Sequence, residues 1–417
     1  MRPSTGRILT AISRHQLPPH SRSLTANPAF SPRVFPKTGL KLLSTSDPIE
    51  EERIPGYSAQ YFYPVELGEV LQSSEVTYLT LKICTRDDAS EFLHQGDNEL
   101  AVCEHLRKSD VRETMTGSVR QILDSFMVTG PHGSHRCLLY QPLGISFTEF
   151  RNRLPGRIFN KRLLQQSLQL IVISLHYLHR SGVVHTDISP NNILMGVKDA
   201  SFLANMEDDE IVRPPARKVL SDRTIYQSRP MPITDGYPVI SDLGAARYGS
   251  ERYRGDVMPE VYRAPEVILD MEWDQKIDIW SIGLMIFDLF EGGRLFFARK
   301  NGMLDDEQHL AEIHSLLGPP PLEFLKRSEK CHNYWDEQGN WIAATPIPEQ
   351  SFEMREHRLQ GEDKELLISF MRSILRWLPE ERPTAEELAY DDFLMQAYDE
   401  VQREGQEKKG RQSPAAE

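Results

Sequence analysis

Residues 185–192 read His185-Thr186-Asp187-Ile188-Ser189-Pro190-Asn191-Asn192. Before them, Leu163, Leu164, Leu168, Ile171, Leu175 and Leu178 recur at helical spacing; after them comes the apolar run Ile193-Leu194-Met195. The pattern predicts a polar loop between a buried helix and a buried strand. The loop presents Asp187 and, five residues on, Asn192. Phosphoryl-transfer loops use this spacing: the carboxylate accepts the proton of an attacking hydroxyl, and the amide holds magnesium on the nucleotide phosphates. The loop must be short for base and metal ligand to face one phosphoryl group. By itself the octet is a weak signal. A His-x-Asp pair is a common hydrogen-bonding unit of loops, and phosphotransferases acting on small alcohols or aminoglycosides carry the same pattern. Three further signals follow. Ser241-Asp242-Leu243-Gly244, approached by Pro238-Val239-Ile240, offers a second metal carboxylate. Tyr262-Arg263-Ala264-Pro265-Glu266 starts 20 residues after Asp242, and Asp278-Ile279-Trp280-Ser281-Ile282-Gly283 opens a very apolar helix.

In this order the four signals resemble a eukaryotic protein kinase. The His-Thr-Asp variant, the Leu of Asp-Leu-Gly and the Tyr-Arg-Ala-Pro-Glu string are most similar to the SR-protein kinase (SRPK-like) branch of the CMGC group, in its fungal form. The resemblance spans about residues 47–398. It implies a bilobal α+β kinase fold: a small antiparallel-sheet lobe over 47–140 and a large helical lobe over 141–398 with an insert near 197–235. It implies ATP and Mg2+ as cofactors, Asp187 as base, Asn192 and Asp242 as metal ligands, and Lys82 on the phosphates with Glu99 as its ion-pair partner. Gln141-Pro142-Leu143-Gly144 would be the hinge that receives adenine, Leu143 offering its backbone N–H and C=O, with Tyr140 at the back of the pocket. Asp278 would hold the catalytic loop's backbone, and Arg382 would pair with Glu266.

The elements that must carry these residues are visible in the periodicity. From Val76 to Ile83, Thr77, Leu79, Leu81 and Ile83 alternate with Val76, Tyr78, Thr80 and Lys82, as in a strand. A helix predicted over Asn98–Arg107 places Leu100, Cys103 and Leu106 on one side. Glu99 lies 17 residues after Lys82; Glu104 is the other candidate partner. Two apolar runs, 121–128 and 136–140, surround a Gly/Pro turn and predict a hairpin leading into the hinge.

Several features depart from the family pattern. No glycine occurs between Gly68 and Gly96, and Lys82 lies only 14 positions after Gly68. The small lobe is therefore expected to lack the glycine-rich loop. Ser189 stands where the catalytic-loop lysine is expected, and Pro259-Glu260-Val261 removes the threonine that would meet it. Losing one preorganised contact to the transferring phosphate costs on the order of 10²–10³ in rate, by analogy with other donors. Thr186 replaces the arginine that reads a phosphorylated activation loop, and the 25-residue activation segment holds one Ser or Thr, Ser250. An active enzyme would then need no activation-loop phosphorylation. Asp242 follows Asn192 by 50 positions, a stretch that includes the acidic run 207–210. The excess is read as a flexible loop whose charges are solvated, although it could attract a basic peptide.

The 417 residues are 39% hydrophobic and 26% charged, a globular composition with no apolar run long enough for a membrane span. Cys84, Cys103, Cys137 and Cys331 have no paired spacing and read as free thiols. A net charge of −13 argues against a general nucleic-acid binder and suits basic targets. Residues 1–46 hold seven Arg or Lys and no acid, leaving −20 on the remainder. That segment is either a mitochondrial transit peptide or a disordered basic arm, so mitochondrial and cytoplasmic or nuclear locations stay open. Residues 399–417 read as a disordered tail. The expected activity is transfer of the ATP γ-phosphate to Ser in protein substrates, with Arg/Ser-rich segments as the class the resemblance suggests, by a monomer with no nucleic-acid or membrane partner. The alternatives are a pseudokinase that binds nucleotide weakly, or a shortened reading of an active kinase gene. A small-molecule kinase is disfavoured by the Ala-Pro-Glu segment.

Overall fold

The computed structural model describes residues 7–9, 34–36, 38–71, 78–86, 95–111 and 117–397. The tail 399–417, most of the basic segment 1–46, and the start of the predicted strand at Val76 lie outside the described residues. The small lobe is built on an antiparallel sheet in the order β1 (Arg7–Leu9), β2 (Thr80–Ile83), β4 (Gly133–Tyr140), β3 (Ile122–Gly130). Strand β1 pairs with the edge of β2, Ile8 opposite Lys82. The register of β2 on β4 sets Thr80 opposite Tyr140 and Lys82 opposite Leu138, so these four share one face. Leu81, Ile83, Cys137 and Leu139 fall on the other face, in a small outer core with Leu79. Helix α1 (Gln95–Lys108) packs its Val102, Cys103 and Leu106 into the main core with Leu138 and Tyr140. It comes very close to the chain after β2: a Cβ on Gly96 would lie 2.6 Å from Cys84 Sγ.

The large lobe begins with α2 (Phe147–Arg153) and α3 (Lys161–Arg180). Asn160 caps α3, its side chain accepting from Leu163 N at 2.8 Å. The predicted stripe Leu164, Leu168, Ile171, Leu175 and Leu178 is fully buried, and each such side chain stabilises by about 1.5–3 kcal/mol. Strands β5 (Val183–Val184) and β6 (Ile193–Met195) bracket the loop that carries Asp187.

The insert after β6 differs from the flexible loop expected of it. It forms α4 (Phe202–Val212) and the hairpin β7 (Arg217–Val219)–β8 (Thr224–Tyr226) before β9 (Pro238–Ile240) pairs back on β6. The acidic run is not wholly solvated either. Glu207 accepts from Tyr78 OH at 2.9 Å, and Glu210 pairs with Arg229 at 2.7 Å; both glutamates are buried. The hairpin docks on the segment that precedes the small lobe. Leu43 N donates to Arg217 O at 2.9 Å, and the buried Lys218 meets Glu52 at 2.9 Å and Asp47 O at 3.1 Å. At the insert's exit, a Cβ on Gly144 would collide with Thr234 Oγ1, so this stretch lies against the hinge.

Beyond β9, β10 (Arg247–Tyr248) pairs with β5. The short α5 (Pro265–Ile268) and α6 (Lys276–Ile286) follow. Every residue of α6 from Ile277 to Ile286 is buried, which is why its sequence is apolar all round instead of amphipathic. Glu266 and Arg382 form a bidentate pair at 2.6 and 2.8 Å, both essentially inaccessible. The guanidinium also lies over Trp280, 4.9 Å from the ring centroid. Removing one partner strands a buried charge. Arg382→Met is expected to cost about 3–5 kcal/mol, and adding Glu266→Leu to restore much of it. Urea unfolding of the three proteins measures this; a loss below about 1 kcal/mol in the single variant contradicts the pairing.

Candidate active site

Strand parity turns Lys82 away from the outer core and toward α1. Its Nζ donates to Glu99 Oε2 at 2.8 Å and to Asp242 Oδ1 at 3.1 Å. Glu104, the other candidate, points to solvent. Burial alone would lower the Lys82 pKa, but the charges of Asp242 and Glu99 outweigh it and hold the ammonium protonated. The second oxygen of Glu99 accepts from Tyr140 OH at 2.7 Å. Asn98, the preceding residue on α1, donates to the carbonyls of Gly244 and Ala246 at 3.0 and 2.9 Å. His105 at the other end of α1 contacts Ser181 O at 2.7 Å and packs on the Tyr248 ring. Helix α1 is thus tied at both ends to the large lobe.

The catalytic loop hangs on one carboxylate. Asp278, near the start of α6, accepts from His185 N through Oδ2 and from Thr186 N through Oδ1, both at 2.8 Å. Oδ2 also meets His179 Nε2 at 3.0 Å. Thr186 sits at φ 69°, a conformation costly for a β-branched residue, and this clamp holds it there. His185 accepts Asp187 N–H on Nδ1 at 3.2 Å, which leaves Nε2–H to donate to Ser241 O at 3.1 Å. Asn192 Nδ2 donates to both the backbone O and Oδ2 of Asp187 at 2.8 Å. Ser241, next to Asp242, donates to Asn192 O from both N and Oγ at 2.9 Å. The base and the two predicted metal ligands are therefore fixed to one another. Burial pushes the Asp187 carboxyl up to about 6; His185 and the Asn192 hydrogen bond pull against this, and Asp242 adds to it. Such a carboxylate is ionised at neutral pH yet basic enough to take a proton.

The donor set suits a hard cation. Because Asn192 spends its amide N–H on Asp187, its Oδ1 accepts no hydrogen bond among the described residues. Asp242, in the left-handed region at φ 64°, brings its carboxylate beside Lys82. No cluster of three His, Cys, Asp or Glu that could hold a metal occurs among the described residues. Two protein oxygens completed by phosphate and water is the mode Mg2+ favours. Asn192 and Asp242 would hold that ion, which would neutralise phosphate charge. The chain's own residues would do the rest: Lys82 is placed to bind phosphate oxygens and Asp187 to take a hydroxyl proton, while Asp278 and His185 hold the loop that carries Asp187.

Gln141 and Leu143 directly follow β4; Gln141 is exposed and Leu143 half-buried. Gly144 N, of the residue after Leu143, donates to Met195 O at 2.7 Å, tying the hinge to β6. Ser189 is buried and its hydroxyl is too short to reach as a lysine would. Thr186 Oγ1 donates to Ala245 O at 3.0 Å, so the residue that replaces the phosphate-reading arginine ties the activation segment down directly. The roles of Asn98, His105 and the Tyr140 hydroxyl, and the presence of Arg120 over the Tyr140 ring at 4.2 Å, are not signalled by the local sequence. Only the parity of Tyr140 with Lys82 across the β2–β4 register points to the first shared face.

A two-lobed fold that joins a buried Lys–Glu pair to a clamped Asp–Asn loop defines a phosphotransferase of the protein-kinase class. The family model described as the protein kinase domain matches residues 134–394, and the chain belongs to that family. It is similar to a serine/threonine protein kinase of Aspergillus fumigatus, 36% identical over 87% of this chain and 95% of the relative. It is also similar to the serine/threonine-protein kinase SRPK of Physarum polycephalum, 26% identical over 81% and 90%, and to human dual specificity protein kinase CLK4, 28% identical over 71% and 57%. A crystal structure of a kinase domain superposes with a TM-score of 0.57, covering 76% of this chain and 88% of that one, at 24% identity, and supports the fold. The protein is a serine/threonine protein kinase, and its group relatives are of CMGC type.

The two acids have separable roles. Asp242→Asn is expected to abolish Mg2+-dependent nucleotide binding. Asp187→Asn should leave that binding within about twofold and lower turnover on the order of 10²-fold or more. Calorimetric titration with nucleotide in the presence and absence of Mg2+, beside a peptide assay, separates them; equal loss of affinity in both variants contradicts the assignment.

Proposed function

We propose that this kinase uses Mg2+ and ATP to phosphorylate Ser in Arg/Ser-rich protein segments, at a low intrinsic rate and without activation-loop phosphorylation. The observation that carries the catalytic part is the assembled set: Lys82 within 3.1 Å of both Glu99 and Asp242, and Asp187 joined to Asn192 at 2.8 Å. The substrate class rests on the SRPK-like motifs and on similarity to a relative named SRPK. The net charge of −13 suits a basic peptide. Adenine is proposed to sit at Gln141–Leu143, with Leu143 supplying the backbone contacts.

The low rate follows from two separate deficits. With no glycine from 69 to 95, the sequence offers no glycine-rich turn to close backbone donors over the β- and γ-phosphates. Ser189 leaves the transferring phosphate without a lysine cation.

Phosphorylation of an Arg/Ser peptide at saturating Mg-ATP is expected to run far below about 1–100 per second, the usual kinase range. Grafting a family glycine loop between Gly68 and Ser74 should raise it, and Ser189→Lys should add a further gain. A native rate already in the usual range would show the loop to be dispensable. Strong phosphorylation of acidic peptides with none of Arg/Ser peptides would refute the substrate class. Nucleotide binding with no transfer, even after the graft, would leave a nucleotide-binding module.

A further inference from the structure

Behind Lys82 and Glu99 lies a second layer that the catalytic chemistry does not use. Tyr140 is 1% exposed and its hydroxyl donates to Glu99 Oε1 at 2.7 Å, while Lys82 takes Oε2 at 2.8 Å. Both carboxylate oxygens of Glu99 are thus occupied by donors from the sheet, one charged and one neutral. Burial, and then the charge of Glu99, push the Tyr140 phenol far above its ordinary range, so the hydroxyl keeps its proton and stays a donor. Against the ring lies the Arg120 guanidinium, 4.2 Å from the centroid. Arg120 is half-buried, its Nε is buried without a hydrogen-bond partner, and its charge faces Tyr140, Glu99 and Asp242. Its backbone is fixed by Arg120 N donating to Ile240 O at 2.8 Å, with Ile240 N donating to Ser118 O at 2.9 Å, two residues before Asp242.

We infer that Tyr140 and Arg120 are positioning residues that latch α1 onto the sheet: the Tyr140 hydroxyl holds Glu99, and the Arg120 cation holds the Tyr140 ring. The inference rests on Lys82–Glu99 being the phosphate-binding pair. It adds that the pair is kept in place by a neutral hydroxyl and a stacked cation, neither of which a phosphate group controls. A hydrogen bond to a charged acceptor is worth more than a neutral one, and the low dielectric around a residue that is 3% exposed, such as Glu99, strengthens it. The cation over the ring adds a smaller increment.

The test uses the full chain. Tyr140→Phe keeps the ring and its stacking and removes only the hydroxyl. Amide hydrogen exchange of the peptide covering 95–108 is expected to quicken about 10-fold or more, with the peptide covering 276–286 unchanged. In the peptide kinase assay kcat should fall about 10-fold, with KM for ATP within about twofold, because hinge and metal contacts remain. Arg120→Met should show the same pattern at about threefold, and Arg120→Lys should recover part of it. Unchanged exchange over 95–108 in Tyr140→Phe overturns the latch. Equal quickening over 95–108 and 276–286 also overturns it, since that reports general destabilisation. Exchange that changes as expected, in a protein with no phosphotransfer in any variant, supports the latch and refutes the kinase rate reading instead.

Discussion

An ammonium group that is 7% exposed cannot stay charged unless carboxylates meet it, and the arrangement of both lobes around the cleft answers that need. Lys82 takes one carboxylate from α1 and one from the segment after β9, so the small-lobe sheet, α1 and the large lobe must close together for either to arrive. The β2–β4 register turns Lys82 and Tyr140 to the same face. The near-contact of Gly96 with Cys84 brings α1 down to that face, and Asn98 and His105 anchor its two ends. On the other side, the Asp278 clamp sets Asp187, and Asn192 and Ser241 tie it to Asp242. One continuous set of hydrogen bonds and ion pairs therefore runs from Asp278 to Glu99.

These contacts are made by buried and half-buried groups of the chain itself, charged and neutral, and no phosphate takes part in them. Where an arginine would read a phosphate, Thr186 donates straight to Ala245 O. The other departures from the family pattern lie elsewhere in the sequence: no glycine occurs from 69 to 95, and Ser189 stands in place of a lysine.

Much of this was legible in the sequence wherever a local pattern dictates geometry. Period-two alternation placed Lys82 opposite the outer core, helical register chose Glu99 over Glu104, and the apolar all-round run after Asp278 marked a buried helix. The Glu266–Arg382 pair was legible from motif positions alone. What stayed hidden depends on partners distant in the chain. The acidic run 207–210 has the look of a solvated loop, yet Glu207 is buried by Tyr78 and Glu210 by Arg229. The hairpin that follows is held by Glu52 and Leu43, residues with no local signal of that role. Arg120 carries no local sequence signal for its place over the Tyr140 ring.

The central claim is that side chains, with no phosphate, hold the catalytic set together. The direct measurement compares peptide phosphorylation by native protein, by protein treated with a phosphatase, and by Ser250→Ala, the variant lacking the one Ser or Thr of the activation segment. Equal kcat within about twofold in all three is the result expected from a site fixed by buried contacts. A fall of about 10-fold or more on phosphatase treatment or in Ser250→Ala would show that a phosphate completes the site, and would contradict the account.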